Sequence, residues 1–207
     1  MRPKGPVTVR DPLAPILAAL GSGRAGSSDY DLNPEVRMPP GRKLRAAGVL
    51  VPVLCGGGAP RVILTKRSSA LKHHPGQVAF PGGKQDAGDP DITATALREA
   101  QEEIGLDPAN VETLGFLPRH ETVTGFDVTP VLARISAPFT PVPEAEEVEE
   151  VFEVPLAHLL ELAWFRVEKR RWRGDWRRYY AVPFGPYYIW GATARILRNM
   201  AEMAGPR

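Results

Sequence analysis

Asp89-Pro90-Asp91-Ile92-Thr93-Ala94-Thr95-Ala96-Leu97-Arg98-Glu99-Ala100-Gln101-Glu102-Glu103-Ile104-Gly105 is the run of residues on which the fold turns. Asp89 followed by Pro90 predicts a helix opening, with Asp at the cap and Pro at the first position, and Gly105 supplies a stop. At about 100° per residue, Thr93, Ala96, Leu97, Ala100 and Ile104 share one apolar arc, and Glu99, Glu102 and Glu103 share the next. Like charges one turn apart, as for Glu99 and Glu103, cost roughly 0.2–0.5 kcal/mol. The helix dipole makes anions less favourable still toward the C-terminal end. A hard divalent cation, Mg²⁺ or Mn²⁺, removes that penalty, because it takes several carboxylate oxygens together with waters and a phosphate. The competing reading is a solvated acidic face.

Just upstream stands Phe80-Pro81-Gly82-Gly83, where the glycine pair either lets backbone approach a metal or phosphate closely or simply breaks the chain. Further upstream, Ala46–Cys55 reads as a buried strand, Gly56-Gly57-Gly58 as a turn, and Arg61–Lys66 as the returning strand of a hairpin. A basic loop, Arg67–Pro75, and a short apolar piece, Val78-Ala79-Phe80, follow. Downstream, Val111–Leu117 and Val123–Ile135 read as strands, the second interrupted by Gly125 and Pro130. The segment Ser136–Pro143 is a proline-rich loop. Glu144–Leu162 runs from acidic to apolar, with a short strand and a short helix. Trp164–Phe184 alternates aromatic and basic residues about Gly174-Asp175, which suggests a hairpin. Ile196, Met200 and Met203 recur at about one turn in a final helix, Trp190–Ala204, and the methionines there read as core. The order of strands, helix, strands and helix is that of an α+β domain with a mixed sheet.

The N-terminal residues 1–44 have a different texture from residues 45–207. Asp11-Pro12 opens a short helix through Leu20, ended by Gly21, and Ser22–Lys43 reads as an extended arm that packs on the domain or mediates a homodimer. The chain has 207 residues, 43% hydrophobic and 24% charged, enough for one domain with a sizeable core. That composition excludes collagen-like and wholly disordered classes. No run of about 18 apolar residues is present, so no membrane span is expected. The basic start, MRPKGPVTVR, is not followed by a signal core. The single cysteine, Cys55, excludes an internal disulfide framework and a cysteine-based zinc site, and makes the cytoplasm the default location. A net charge of +2 does not by itself imply a nucleic-acid partner.

Gly-Gly followed by Arg98-Glu99-Ala100-Gln101-Glu102-Glu103-Ile104-Gly105-Leu106 resembles the Nudix box. The R-E-A-Q-E-E-I-G-L half matches in full. In the upstream half, the acid six residues after Gly83 is Asp89 rather than Glu, and eight residues rather than seven separate it from Arg98. The segment before the box, Leu64-Thr65-Lys66-Arg67-Ser68, Lys72 and Gly76-Gln77-Val78-Ala79-Phe80-Pro81-Gly82-Gly83, resembles the extra motif of the coenzyme A pyrophosphatase branch. Ile63 and Lys72 replace its first Leu and second Arg. Val123-Thr124-Gly125-Phe126, Glu147-Val148 with Val151–Leu156, and Ile189–Ala194 are similar to that branch as well. The resemblance spans roughly residues 45 to 200.

What this resemblance implies is a Nudix-type α/β/α sandwich that cuts the pyrophosphate of coenzyme A or its derivatives to 3′,5′-ADP and 4′-phosphopantetheine. Glu99, Glu102 and Glu103 would hold Mg²⁺ or Mn²⁺, with a backbone carbonyl of Gly82 or Gly83 as a further ligand. Glu147 would supply an acid from outside the box, with Glu144, Glu146, Glu149 and Glu150 as rivals. Glu103 would act as general base, and Arg98 would orient the glutamates, paired by analogy with Asp89. Arg67, Lys72, Gly76 and Gln77 are candidates for the substrate phosphates, since arginine matches phosphate geometry. His73 and His74 read as solvated, because a hard-metal site favours oxygen ligands. The run Lys169–Tyr180 reads as a twisted hairpin with aromatics inward and arginines outward. Adenine stacking or single-stranded nucleic acid are its other readings. Rival functions are hydrolysis of NADH, ADP-ribose or dinucleoside polyphosphates, a non-catalytic nucleotide-binding regulator, and an RNA-binding or decapping protein.

Overall fold

The computed structural model describes residues 11–36, 41–172 and 174–205. The basic opening segment 1–10, residues 37–40 of the expected arm, Arg173 of the basic-aromatic run and residues 206–207 lie outside them. In chain order the elements are α1 (Ala14–Ala19), β1 (Ser27–Ser28), β2 (Arg45–Leu54), β3 (Arg61–Arg67), β4 (Val78–Ala79), β5 (Gly82–Lys84) and α2 (Ile92–Ile104). Then come β6 (Val111–Phe116), β7 (His120–Glu121), β8 (Phe126–Ile135), β9 (Val148–Pro155), α3 (Leu156–Leu159), β10 (Arg166–Trp172), β11 (Asp175–Ala181) and α4 (Ala192–Ala204).

Strand β2 is the axis of a mixed sheet. It runs parallel to β8 over its whole length, from Arg45 opposite Phe126 to Leu54 opposite Ile135. Its other edge is shared: Ala47–Val49 pair with β5, and Val53–Leu54 pair with β3. Strand β3 continues the sheet through β9 and β4, while β6 and β7 flank β8. Helices cover both faces, so the central strands bury both sets of alternating side chains and read as unbroken apolar runs. Leu50, Leu54, Ile63, Val131, Ala133 and Ile135 pack with Ala96, Ala100 and Ile104 of α2 on one face. Val51, Val53, Val62, Leu64 and Leu132 pack on the other face with Ile16 of α1 and Ile196, Leu197, Met200 and Met203 of α4. The result is the α/β/α sandwich expected from the sequence.

Several local expectations are corrected. The glycine pair does not break the chain: Gly82–Lys84 is the strand β5, because its glycines allow the backbone to lie flat against β2. The cap of α2 is Asp91, whose side chain accepts from Ala94 N at 2.8 Å, and not Asp89, which is used elsewhere. Pro130 does not interrupt β8; its carbonyl accepts from Leu117 N. The ribbon β10–β11 forms as expected, but its aromatics are not all inward. Trp176 is exposed, with the Lys169 ammonium over its ring at 5.2 Å. Among the described residues no helix is long and apolar enough to cross a membrane.

Residues 13–33 are built into the domain. Leu13 and Ile16 are fully buried in the core beneath α4. Beyond α1 the chain is tied down by a buried polar string. Asn199 Nδ2 donates to Ser27 Oγ (3.0 Å), which lies 2.9 Å from His120 Nδ1, and His120 Nε2 lies 3.1 Å from Asp29 Oδ1. Asp29 also accepts from Val123 N. Asn33, buried to 1% exposure, donates to the carbonyls of Asp29 and Arg178 and accepts from Arg178 N at 2.8 Å, so it fastens β11 to the arm. Asn33→Ala leaves those buried backbone groups unpaired. We expect a loss of about 1–3 kcal/mol in denaturant unfolding; a change within error would show that the arm does not brace the ribbon.

Candidate functional site

Arg98, in the middle of α2, is the hub of the carboxylate cluster. Its Nε and Nη2 form a fork on Asp89, each at 3.0 Å. Its Nη1 reaches Glu102 Oε2 at 2.7 Å and its Nη2 reaches Glu99 Oε1 at 3.0 Å. Asp89 takes two further donors, Asp86 N at 2.9 Å and Thr95 Oγ1 at 3.0 Å. These donors, led by Arg98, hold its carboxyl far below the usual carboxylate range, and Asp89 in turn pushes Arg98 upward. The extra residue lies between Asp89 and Arg98, while the turn Asp86–Asp89, in which Asp89 N donates to Asp86 O, presents Asp89 to the helix. A shorter acid on a longer connection therefore reaches the same guanidinium. Asp86 and Thr95 were not singled out in the sequence; the D-A-G-D turn was the available signal.

The three box glutamates stand in different environments. Glu102 is exposed, Glu99 is half-buried and Glu103 is only 4% exposed. Glu103 Oε2 accepts from Gly82 N at 3.3 Å, so the backbone of β5 positions it. Burial pushes its carboxyl up to about 8, and the nearby charges of Glu99 and Glu147 act in the same direction. Burial also raises Glu99, with Glu102 and Glu147 adding to the shift and Arg98 opposing it. Glu147 is thus the acid outside the helix whose charge bears on both Glu99 and Glu103. Its backbone is held at this end of the sheet by Ser68 N, which donates to its carbonyl. Of the rivals, Glu149 is taken by Lys66 at 2.6 Å and Glu150 by the Tyr187 hydroxyl at 2.5 Å; Glu144 and Glu146 are exposed, as Glu147 itself is.

The two glycines of β5 have separate tasks. A Cβ on Gly82 would meet Val49 Cα of β2 at 2.5 Å, where backbone cannot yield. A Cβ on Gly83 would meet the Glu99 carboxylate, also at 2.5 Å, where a side chain can swing away. We therefore expect Gly83→Ala to keep its melting temperature but to lose roughly tenfold in activity, the low end of the effect of a displaced ligand. Gly82→Ala should lower the melting temperature. Equal activity for Gly83→Ala and the wild type would detach Glu99 from the chemistry.

The basic loop before β4 closes on itself. Arg67 N donates to Gln77 O at 3.0 Å and Gly76 N returns a bond to Arg67 O at 3.1 Å. This places Arg67 where its positive charge opposes the rise in Glu103. Lys72 stays exposed and forms no ion pair or hydrogen bond with the cluster. His74 is not simply solvated: it adopts φ 56, bonds the Gln77 side chain, and partial desolvation with Arg67 nearby holds its imidazole below the usual value.

Among the described residues no three His, Cys, Asp or Glu side chains already form a metal-chelating group. Arg98 occupies oxygens of Glu99 and Glu102 in this arrangement. The donor set is nonetheless all oxygen. It includes a buried carboxylate facing two others, and a cradle at Gly83 in which a Cβ would displace Glu99. Those features fit a hard divalent cation and do not fit a soft one.

Comparison with known proteins gives a consistent picture. The family model described as NUDIX domain matches residues 44–183. A protein of Citrobacter koseri named "Uncharacterized Nudix hydrolase NudL" is 43% identical over 163 residues, covering 79% of this chain and 84% of that one. A protein of the same printed name from Pectobacterium atrosepticum is 40% identical over 187 residues, covering 87% and 95%. Among solved structures, a Nudix hydrolase from M. smegmatis, RenU, is 23% identical with a TM-score of 0.47, over 58% of this chain and 82% of that one.

Proposed function

The chain belongs to the Nudix hydrolase family, and from that premise we propose that it hydrolyses the pyrophosphate bond of coenzyme A and its acyl or oxidised derivatives. The products are 3′,5′-ADP and 4′-phosphopantetheine or its acylated form. The observation that carries this reading is the place of Arg67. The residues that resemble the coenzyme A branch lie on β3 and the loop after it, whose backbone bonds tie Arg67 to Gly76 and Gln77, and the charge of Arg67 bears on Glu103.

In this reading Glu99, Glu102, Glu103, Glu147 and the Gly83 carbonyl hold Mg²⁺ or Mn²⁺. When bound, the ion neutralises the pyrophosphate oxygens and makes a coordinated water more acidic. The protein does the rest. Arg98 keeps the glutamates in register, and Gly82 N aims Glu103. Arg67 offers planar donors to a substrate phosphate, and Lys72 adds a mobile charge from the exposed loop. Glu103 accepts the proton of the attacking water as its oxygen bonds to phosphorus and the bridging P–O bond breaks. The departing phosphate carries away the electron pair of that bond.

The test is incubation of the purified chain with coenzyme A and Mg²⁺ or Mn²⁺, with products followed by chromatography and a chelator control. Metal-dependent 3′,5′-ADP and 4′-phosphopantetheine are expected. Much faster turnover of ADP-ribose, NADH or a dinucleoside polyphosphate in the same panel would overturn the coenzyme A reading and leave the carboxylate site in place.

A further inference from the structure

The ribbon β10–β11 carries a pair of arginines that the reaction described above does not use. Arg170 stands directly opposite Arg177 in the antiparallel register. Like charges in that position repel across the strands. Among the described residues neither arginine has a carboxylate partner in an ion pair, and Arg177 Nε is buried without a hydrogen-bond acceptor. Each guanidinium instead lies over an aromatic ring, Arg170 4.6 Å from the centre of Trp190 and Arg177 5.8 Å from that of Trp172. Tyr179 meets Trp190 edge-on at 5.1 Å and fixes the plane of that indole. Stacking holds a guanidinium flat and leaves its in-plane N–H groups available to an oxyanion.

This pair adjoins the candidate active site. Trp190 bridges to Ala181 of β11, and Gly191 N donates to Tyr180 O at 3.0 Å. On its other side, Gly191 packs against the Gln77 side chain, and a Cβ there would lie 3.7 Å from Gln77 Nε2. Thr193 Oγ1 donates to Val78 O at 3.0 Å. The loop that carries Arg67 and Gln77 therefore meets the ribbon at Trp190–Thr193. His74, on that loop, experiences the charges of both Arg67 and Arg170. A positive track thus runs from the carboxylate cluster through Arg67 to the arginine pair.

We infer that Arg170 and Arg177 form a second anion subsite that binds a phosphomonoester on the nucleotide half of the substrate. A dianion between the two guanidiniums converts their repulsion into two charge-assisted contacts and gives the buried Arg177 Nε its acceptor. The subsite selects nucleoside diphosphate derivatives that bear an additional ribose phosphate over those that lack it. In its kinetic form the inference rests on the proposed function; in its binding form it does not.

Calorimetric titration of the full chain with 3′,5′-ADP and with AMP, in chelator, isolates the extra monoester. The wild type should bind 3′,5′-ADP at least about tenfold more tightly than AMP. Arg170→Gln and Arg177→Gln should each bring 3′,5′-ADP toward the AMP affinity, with AMP binding unchanged; unchanged thermal melting confirms that both variants fold. In kinetics, the ratio of kcat/KM for coenzyme A over dephospho-coenzyme A should fall in both variants, carried by KM. Equal wild-type affinity for the two nucleotides would overturn the inference. So would a parallel loss for both nucleotides in the variants. Salt-sensitive binding of a single-stranded oligonucleotide that the variants abolish, with the nucleotide affinities unaltered, would assign the arginines to nucleic acid instead. If coenzyme A is not turned over, the proposed function fails, and the titrations still decide the subsite.

Discussion

Replacing Glu103 with Gln is expected to lower kcat for coenzyme A by roughly 10²–10⁴-fold, the range for loss of a positioned proton acceptor. The fold should be indifferent to the change. Glu103 lies at 4% exposure, and burial already favours its uncharged form. Glutamine has the same length, and its carbonyl oxygen can still accept from Gly82 N, the bond that Glu103 makes at 3.3 Å. What the amide cannot do is bind a cation as an anion or take a proton from water. The decisive comparison is kcat at saturating metal beside the melting temperature without metal. A variant of unchanged melting temperature and near-normal kcat would move the proton acceptor to another carboxylate, with Glu147 the next candidate because its charge bears on the same pair.

Arg98→Ala is expected to cost nearly 100-fold in activity, the upper part of the range for residues that orient metal ligands. One guanidinium holds Asp89 through two bonds at 3.0 Å, Glu99 at 3.0 Å and Glu102 at 2.7 Å. Its removal leaves three carboxylates without their shared counter-charge and frees Glu99 to leave the Gly83 cradle. Arg98→Lys should recover little, since a point charge on a flexible stem cannot fork onto Asp89 while also reaching two glutamates. The readout that separates positioning from simple stabilisation is the metal requirement. The Mg²⁺ or Mn²⁺ concentration for half-maximal rate should rise in Arg98→Ala. An unchanged metal requirement with a lowered melting temperature would reduce Arg98 to a structural residue.

The strands, the helix and its acidic edge could be read along the chain because each depends on neighbours a few residues away. Unbroken apolar runs mark β2 and β8, and apolar residues at a period of 3.6 mark α2. The expectation failed where two local signals competed. Asp89-Pro90 and Asp91 both satisfy the rules for a helix start, and the choice fell to Asp91 because Arg98, one side of the helix away, claims Asp89. Gly82-Gly83 resembles a chain break in one dimension. It is a strand because β2 offers Ala47–Val49 as an unpaired edge only 33–37 residues earlier in the chain.

The spacing of Arg98, Glu99, Glu102 and Glu103 on one helix specifies a carboxylate cluster wherever that helix is placed, since helical geometry alone sets their mutual positions. Their differences in exposure come from elsewhere. Glu103 is buried on the side of α2 that meets β5, where Gly82 N donates to it, and Glu102 lies on the exposed side. The partnership of Glu147 with the helix, the approach of Arg67 to Glu103 and the facing of Arg170 toward Trp190 join residues tens of positions apart. Such contacts arise when sheet pairing and two-sided core packing bring distant segments together. Burial and charge coupling at a site are properties of that packing, which local periodicity does not encode.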